Sequence, residues 1–134
     1  MSRPPALRVE DLLISEGSEN NWVWRYGTKA SKDAVTDYVD LTGWTAEAQI
    51  RTAVGNKIWF RATEADYITL GATGEIHFSI PHEVTEDPDW WSSGRTTGVW
   101  DLELTDPAGL IKRFVMGEVT ISKNVTRDQG VPNG

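Results

Sequence analysis

The residues best suited to chemistry are two histidines, His77 and His82, and four carboxylates, Glu83, Glu86, Asp87 and Asp89, crowded just after them. Imidazole is a frequent metal ligand and proton carrier near neutral pH. His77, however, falls on the predicted solvent side of a strand, and no third ligand stands at a recognisable zinc spacing. The carboxylates could supply oxygen ligands to Ca²⁺, yet they lack the one-three-five order around a central glycine that marks a calcium loop. They read as a solvated acidic loop that discourages edge-to-edge strand pairing. The chain has no cysteine, which removes thiolate ligands, thiol nucleophiles and disulfides. It has no nucleophile elbow and no glycine-rich phosphate loop. The GATG at residues 71–74 lacks the strand-then-helix setting that phosphate binding requires. Paired carboxylates could hydrolyse glycosides, but spacing singles out no pair. The expectation is a protein that is not an enzyme, with no catalytic residues, no cofactor and no metal.

Seven tryptophans carry the next signal. Trp22, Trp24, Trp44 and Trp100 fall in register with other apolar residues and are assigned to the core, where each ring removes roughly 150–250 Å² from water. Trp59 is out of phase with Ile58 and Phe60. Trp90 and Trp91 sit in the acidic, proline-bearing loop, with Arg95 close behind. Exposed aromatics rimmed by charge mark contact surfaces. Trp59, Trp90, Trp91 and Arg95 are therefore the candidate partner-contact residues.

The formal net charge is −7. Nucleic-acid affinity comes mainly from Lys and Arg displacing counterions, so this balance argues against nucleic acid and against anionic lipid. No apolar run approaches the ~20 residues of a membrane helix. Residues 1–10 hold two arginines without a following apolar stretch, unlike a secretory signal. The expected setting is a cytoplasm, or a particle assembled there.

These residues must be positioned by strands. Period-two alternation recurs along the chain. Trp22, Trp24 and Tyr26 share one face. Trp44, Ala46, Ala48 and Ile50 share another, opposite Thr45, Glu47, Gln49 and Arg51. A turn at Val54-Gly55-Asn56 leads into Ile58–Arg61. Ile76, Phe78 and Ile80 lie opposite Glu75, His77 and Ser79, and Pro81 ends that strand. One helical turn is expected within residues 81–91. Trp100, Leu102 and Leu104 lie opposite Val99, Asp101 and Glu103. Thr105-Asp106-Pro107-Ala108-Gly109 is a turn, followed by a strand in which Gly117 is expected to mark a bulge, with Phe114 and Met116 inward before it and Val119 and Ile121 inward after it. The result is an all-β domain over residues 11–126 of seven to eight short strands, a sandwich or barrel, with an arm at 1–10 and a tail at 127–134.

Three stretches in this order carry a resemblance: VDLTGWTAEAQIR (39–51), ITLGATGEIHFSIPHEVT (68–85) and GVWDLELTDPAGLIKRFVMGEVTISKNVTR (98–127). The chain resembles small β-sandwich virion proteins of tailed bacteriophages, a family that includes the collar protein onto which long side tail fibres attach and related actinobacteriophage structural proteins. It departs at Trp100, where Tyr is more usual, and in a longer insert at residues 86–98. The resemblance implies an Ig-like antiparallel sandwich and a non-enzymatic structural role in the virion, decorating the capsid or forming a collar or tail attachment. Implied partners are other virion proteins and copies of itself. The alternative is a carbohydrate-binding module stacking Trp59, Trp90 and Trp91 on sugar faces.

Overall fold

The computed structural model describes residues 8–52, 58–87 and 96–123. Eleven strands lie within them, eight of which are longer than two residues. In chain order they are β1 (Arg8–Val9), β2 (Leu12–Ser15), β3 (Asn20–Arg25), β4 (Gly27–Thr28), β5 (Asp37–Tyr38) and β6 (Thr45–Arg51). Then come β7 (Ile58–Thr63), β8 (Ile68–Leu70), β9 (Glu75–Ile80), β10 (Thr97–Thr105) and β11 (Ile111–Ser122). The helical turn expected near residue 81 is α1 (His82–Thr85), which begins straight after Pro81.

The larger sheet runs β1-β11-β10-β6-β7, with β2 also on β11. The smaller runs β3-β9-β8, and β4 and β5 form a two-stranded ribbon. Pairing is antiparallel except that β1 and β2 run parallel to β11. The alternation explains why two sheets form. Each strand has one greasy face, and these faces seal against each other as an all-β, Ig-like sandwich.

The sealed layer holds Leu12, Ile14, Ala46, Ala48, Ile50, Ala62, Leu102, Leu104, Val115, Val119 and Ile121 from the larger sheet. Trp24, Ile68, Ile76, Phe78 and Ile80 come from the smaller. Aromatic rings bridge the layers: Phe78 lies 5.3 Å from Trp22 and 6.2 Å from Trp100, and Trp100 stacks on Trp24 at 5.7 Å. Trp24 and Trp100 are buried as expected. Trp22 and Trp44 are half-buried and pack on the rim of the core. Lower down, Tyr26 meets Trp44 and Phe114 at 6.1 and 5.5 Å, and Lys112 caps its hydroxyl at 2.9 Å.

The bulge in β11 is not at Gly117. The register with β10 shifts between Leu102, opposite Val115, and Glu103, opposite Arg113, which leaves Phe114 as the extra residue. Met116 consequently points to the outer face, and Val115, Gly117, Val119 and Ile121 form the inner row. Gly117 serves another need. The backbone of Glu10 crosses so closely that a Cβ at Gly117 would sit 2.1 Å from the Glu10 carbonyl oxygen. That carbonyl accepts the indole N–H of Trp100 at 2.8 Å, and the Glu10 carboxylate accepts that of Trp24 at 2.9 Å. Of the arm expected at residues 1–10, Arg8 and Val9 are thus part of the sheet. Residues 1–7 of that arm, the Val54–Asn56 turn and the tail at 127–134 lie outside the described residues.

The Asp106–Gly109 turn forms as expected. The Asp106 carboxylate accepts the N–H groups of Ala108 and Leu110, both at 2.9 Å, and Gly109 takes φ +92°. At the opposite end of the sandwich the β2–β3 turn is sewn to α1. Buried Thr85 accepts the Gly17 N–H at 2.9 Å, and Glu19 accepts the His82 N–H at 3.1 Å. The His82 ring lies 2.9 Å from both Glu83 and Glu86 and 3.7 Å from Glu19.

Two outcomes are expected. Gly117→Ala, which forces the Glu10 crossing apart, lowers stability by about 1–3 kcal/mol, read as a shift in the urea midpoint of tryptophan fluorescence. The hydrogen bond to Glu86, aided by Glu83 and Glu19, raises the His82 pKa above its ordinary 6.5. Such a group stabilises the fold below its unfolded pKa and loses that effect as pH rises through the folded one. The melting-temperature gap between the natural protein and His82→Gln is therefore widest below the ordinary pKa of 6.5 and narrows as pH rises above it.

Candidate functional site

On the larger sheet, the residues that alternation turned away from the core line up in rows across the strands. Arg113 of β11 stands opposite Glu103 of β10, which stands opposite Glu47 of β6. The next row runs Val9, Met116, Asp101, Gln49 and Arg61. The third runs Glu118, Val99 and Arg51. Together the rows line a groove of about 690 Å³, and a second lobe of about 360 Å³ continues past Glu47 and Glu103 towards Thr63, Glu64 and Ile111.

Much of the lining is held in place before anything binds. Arg51 donates to the Gln49 side-chain oxygen at 2.7 and 3.1 Å, and Gln49 donates to Glu47 at 2.5 Å. Arg61 makes a two-pronged contact with the same carboxylate at 2.9 and 3.1 Å. The Arg61 hydrogen bonds, then that of Gln49, hold the Glu47 carboxyl below the usual range, so it is ionised at neutral pH. Arg113 pairs with Asp101 at 3.3 Å. The three guanidiniums are all engaged. Among the described residues, the side chains of Glu103 and Glu118 make neither hydrogen bond nor ion pair, and Glu103 is half-buried directly opposite Glu47. Val9, Met116 and Val99 add an apolar strip beside them. A surface with fixed polar arms, free carboxylates and an apolar strip has the make-up of a binding face.

The residues singled out from sequence lie elsewhere. Trp59 is the extra residue of a bulge in β7, where Phe60 pairs with Ile50 but Ile58 pairs with Arg51. The bulge turns Ile58 outward and leaves Trp59 half-buried against the core. Trp90, Trp91 and Arg95 lie outside the described residues. His77 is exposed on the smaller sheet, between Val23 and Thr69. His82 meets Glu19 and Glu83, whose ligand atoms all lie within 4.8 Å of one another. Glu19, sixty-three positions away, is the partner that spacing could not reveal. All three side chains are exposed, and both ring nitrogens of His82 already face carboxylates.

The groove residues were legible only as a water face. The signal was there in the alternate positions Glu47-Gln49-Arg51 and Val99-Asp101-Glu103, which pair an acid, an amide and a guanidinium with a valine and two acids. What was missing was that β6, β10 and β11 lie side by side. Met116, assigned inward, was lost to the misplaced bulge.

No protein-family model matches the chain, and no curated protein matches it. Matches come from solved structures. Domains 3–5 of the extracellular part of Drosophila OTK share 16% identity at a TM-score of 0.35, covering 90% of this chain and 37% of that one. The SGBP-B protein of the Bacteroides ovatus mixed-linkage glucan utilization locus, in complex with a mixed-linkage heptasaccharide, shares 11% identity at a TM-score of 0.33, covering 96% and 29%. The chain thus spans well under half the length of either.

Proposed function

We propose that this chain is a non-enzymatic binding protein that attaches to another protein through the outer face of its larger sheet, in the setting of a tailed-bacteriophage particle. The observation that carries the docking reading is the groove, with its pre-ordered Arg51-Gln49-Glu47-Arg61 network over a concavity of about 690 Å³. Ordering side chains before association removes part of the entropy that binding costs, roughly 0.5–1.5 kcal/mol for each long side chain held. The phage setting draws its support from the three-stretch resemblance. In the fold those stretches carry β6, β8 with β9 and α1, and β10 with β11, so the first and third supply the three strands under the groove.

Sugar recognition draws little from this face. Among the described residues the groove's aromatic is Trp100, which is 3% exposed and offers no ring for stacking.

The absence of native cysteine makes a direct test simple. Val99→Cys places one thiol in the groove, and Thr69→Cys places one on the opposite outer face. Each is loaded with a benzophenone, mixed with particles purified from the producing culture, and irradiated. The expected result is a crosslink to a particle protein from position 99 and none from position 69. Absence of the protein from the particles by mass spectrometry removes the phage setting. The reverse crosslinking pattern removes the docking face.

A further inference from the structure

We infer that the occupant of the groove is a cationic, extended protein segment, one that alternates Lys or Arg with apolar residues. This rests on the docking reading above and names the chemistry of the partner.

Three observations favour that occupant over others. First, every guanidinium in the groove already has an acceptor: Arg51 on Gln49, Arg61 on Glu47 and Arg113 on Asp101. The carboxylates that line it, Asp11, Glu47, Asp101, Glu103 and Glu118, outnumber these three guanidiniums. Second, the groups left over are carboxylates. Glu103 and Glu118 have no partner among the described residues, and they sit one strand apart on β10 and β11, diagonally across the groove. Asp11 and Glu64 add negative charge at either end of the two lobes. A cation bonded to such a carboxylate makes a charge-assisted contact, about twice as strong as a neutral one. Third, Val99 stands directly opposite Glu118, and Met116 stands directly opposite both Val9 and Asp101. Charged and apolar positions are thus interleaved across the sheet at strand spacing. An extended segment presents alternate side chains at about twice the 3.3 Å rise per residue. Its cationic residues can meet Glu103 and Glu118 while the stems and apolar residues between them cover the strip.

A second copy of this chain does not fit. The chain carries −7 overall, and face-to-face pairing would set free carboxylates against free carboxylates in both copies. Nucleic acid and anionic lipid are repelled by the same groups.

The probe is a fluorescein-labelled Lys-Val-Lys-Val-Lys-Val peptide, with Glu-Val-Glu-Val-Glu-Val as its opposite. Binding to the intact chain is followed by anisotropy at low and high salt. The double variant Glu103→Gln with Glu118→Gln removes the two free charges. Asp33→Asn with Asp37→Asn removes the same charge from an exposed ribbon elsewhere. The expected result is that the lysine peptide binds, that 0.5 M NaCl abolishes binding, and that the groove variant weakens it about tenfold or more. The ribbon variant should change it less than about twofold, and all three proteins should melt together. Equal weakening by both variants reduces the effect to the net charge and overturns the inference. So does binding of the acidic peptide, or a dimer in sedimentation that Val99→Lys dissolves. If position 99 still crosslinks to a particle protein while the groove variant binds that protein undiminished, the docking face stands and its cationic partner does not. Loss of the crosslink itself instead overturns the docking face.

Discussion

The crossing of Glu10 over Gly117 is the contact on which the rest of the molecule hangs. Two tryptophans fill the middle of the sandwich, and each brings an indole N–H that must find an acceptor once water is excluded. One residue satisfies both, Trp100 through its carbonyl and Trp24 through its carboxylate. It can do so because position 117 has no side chain and lets the chain pass at contact distance. The same crossing draws β1 and β2 alongside β11 on either side of it, closing the edge of the larger sheet with two parallel pairings. An unmade bond to a buried indole would cost roughly 1–3 kcal/mol, which explains why so short a strand as β1 holds its place.

The groove inherits its shape from that core. Val9, at one wall, is placed by the pairing that the Glu10 crossing enforces, and Met116 lies beside it. Two bulges then separate what faces in from what faces out. At Phe114 the extra residue sends one ring inward to Tyr26 and hands Met116 to the outer face. At Trp59 the extra residue turns a second ring toward the core and exposes Ile58. Without these insertions the strands would alternate through their whole length, and the outer rows would fall out of step. The polar network on β6 and β7 rests on that alignment, because Arg61 reaches Glu47 across two strands whose register the bulge leaves undisturbed below Phe60.

At the far end, α1 and the β2–β3 turn form a separate clasp. Its partners are drawn from positions more than sixty residues apart, as in the bond from Gly17 to Thr85. Buried Glu16 meets Lys123 there at 3.2 Å, and burial lowers the Lys123 pKa. This end carries the exposed His82 cluster, whereas the groove lies on a sheet face.

From the residues alone one could read the two-residue rhythm, and with it the all-β class, the strand faces, the turn at Asp106–Gly109 and the single helical turn after Pro81. Each of these is local: neighbouring side chains in a strand must point to opposite sides, and Asp, Pro and Gly prescribe turn geometry within four residues. Four of the tryptophans were legible as core for the same reason, although two of them only reach its rim. The tertiary structure decided everything that depends on which strands become neighbours. It decided that Glu47, Glu103 and Arg113 share a row, that Glu19 reaches His82, and that Gly117 marks a crossing point and the bulge falls at Phe114. Those outcomes come from contacts between positions dozens of residues apart, and side-chain alternation within one strand carries no record of the strand that will lie beside it.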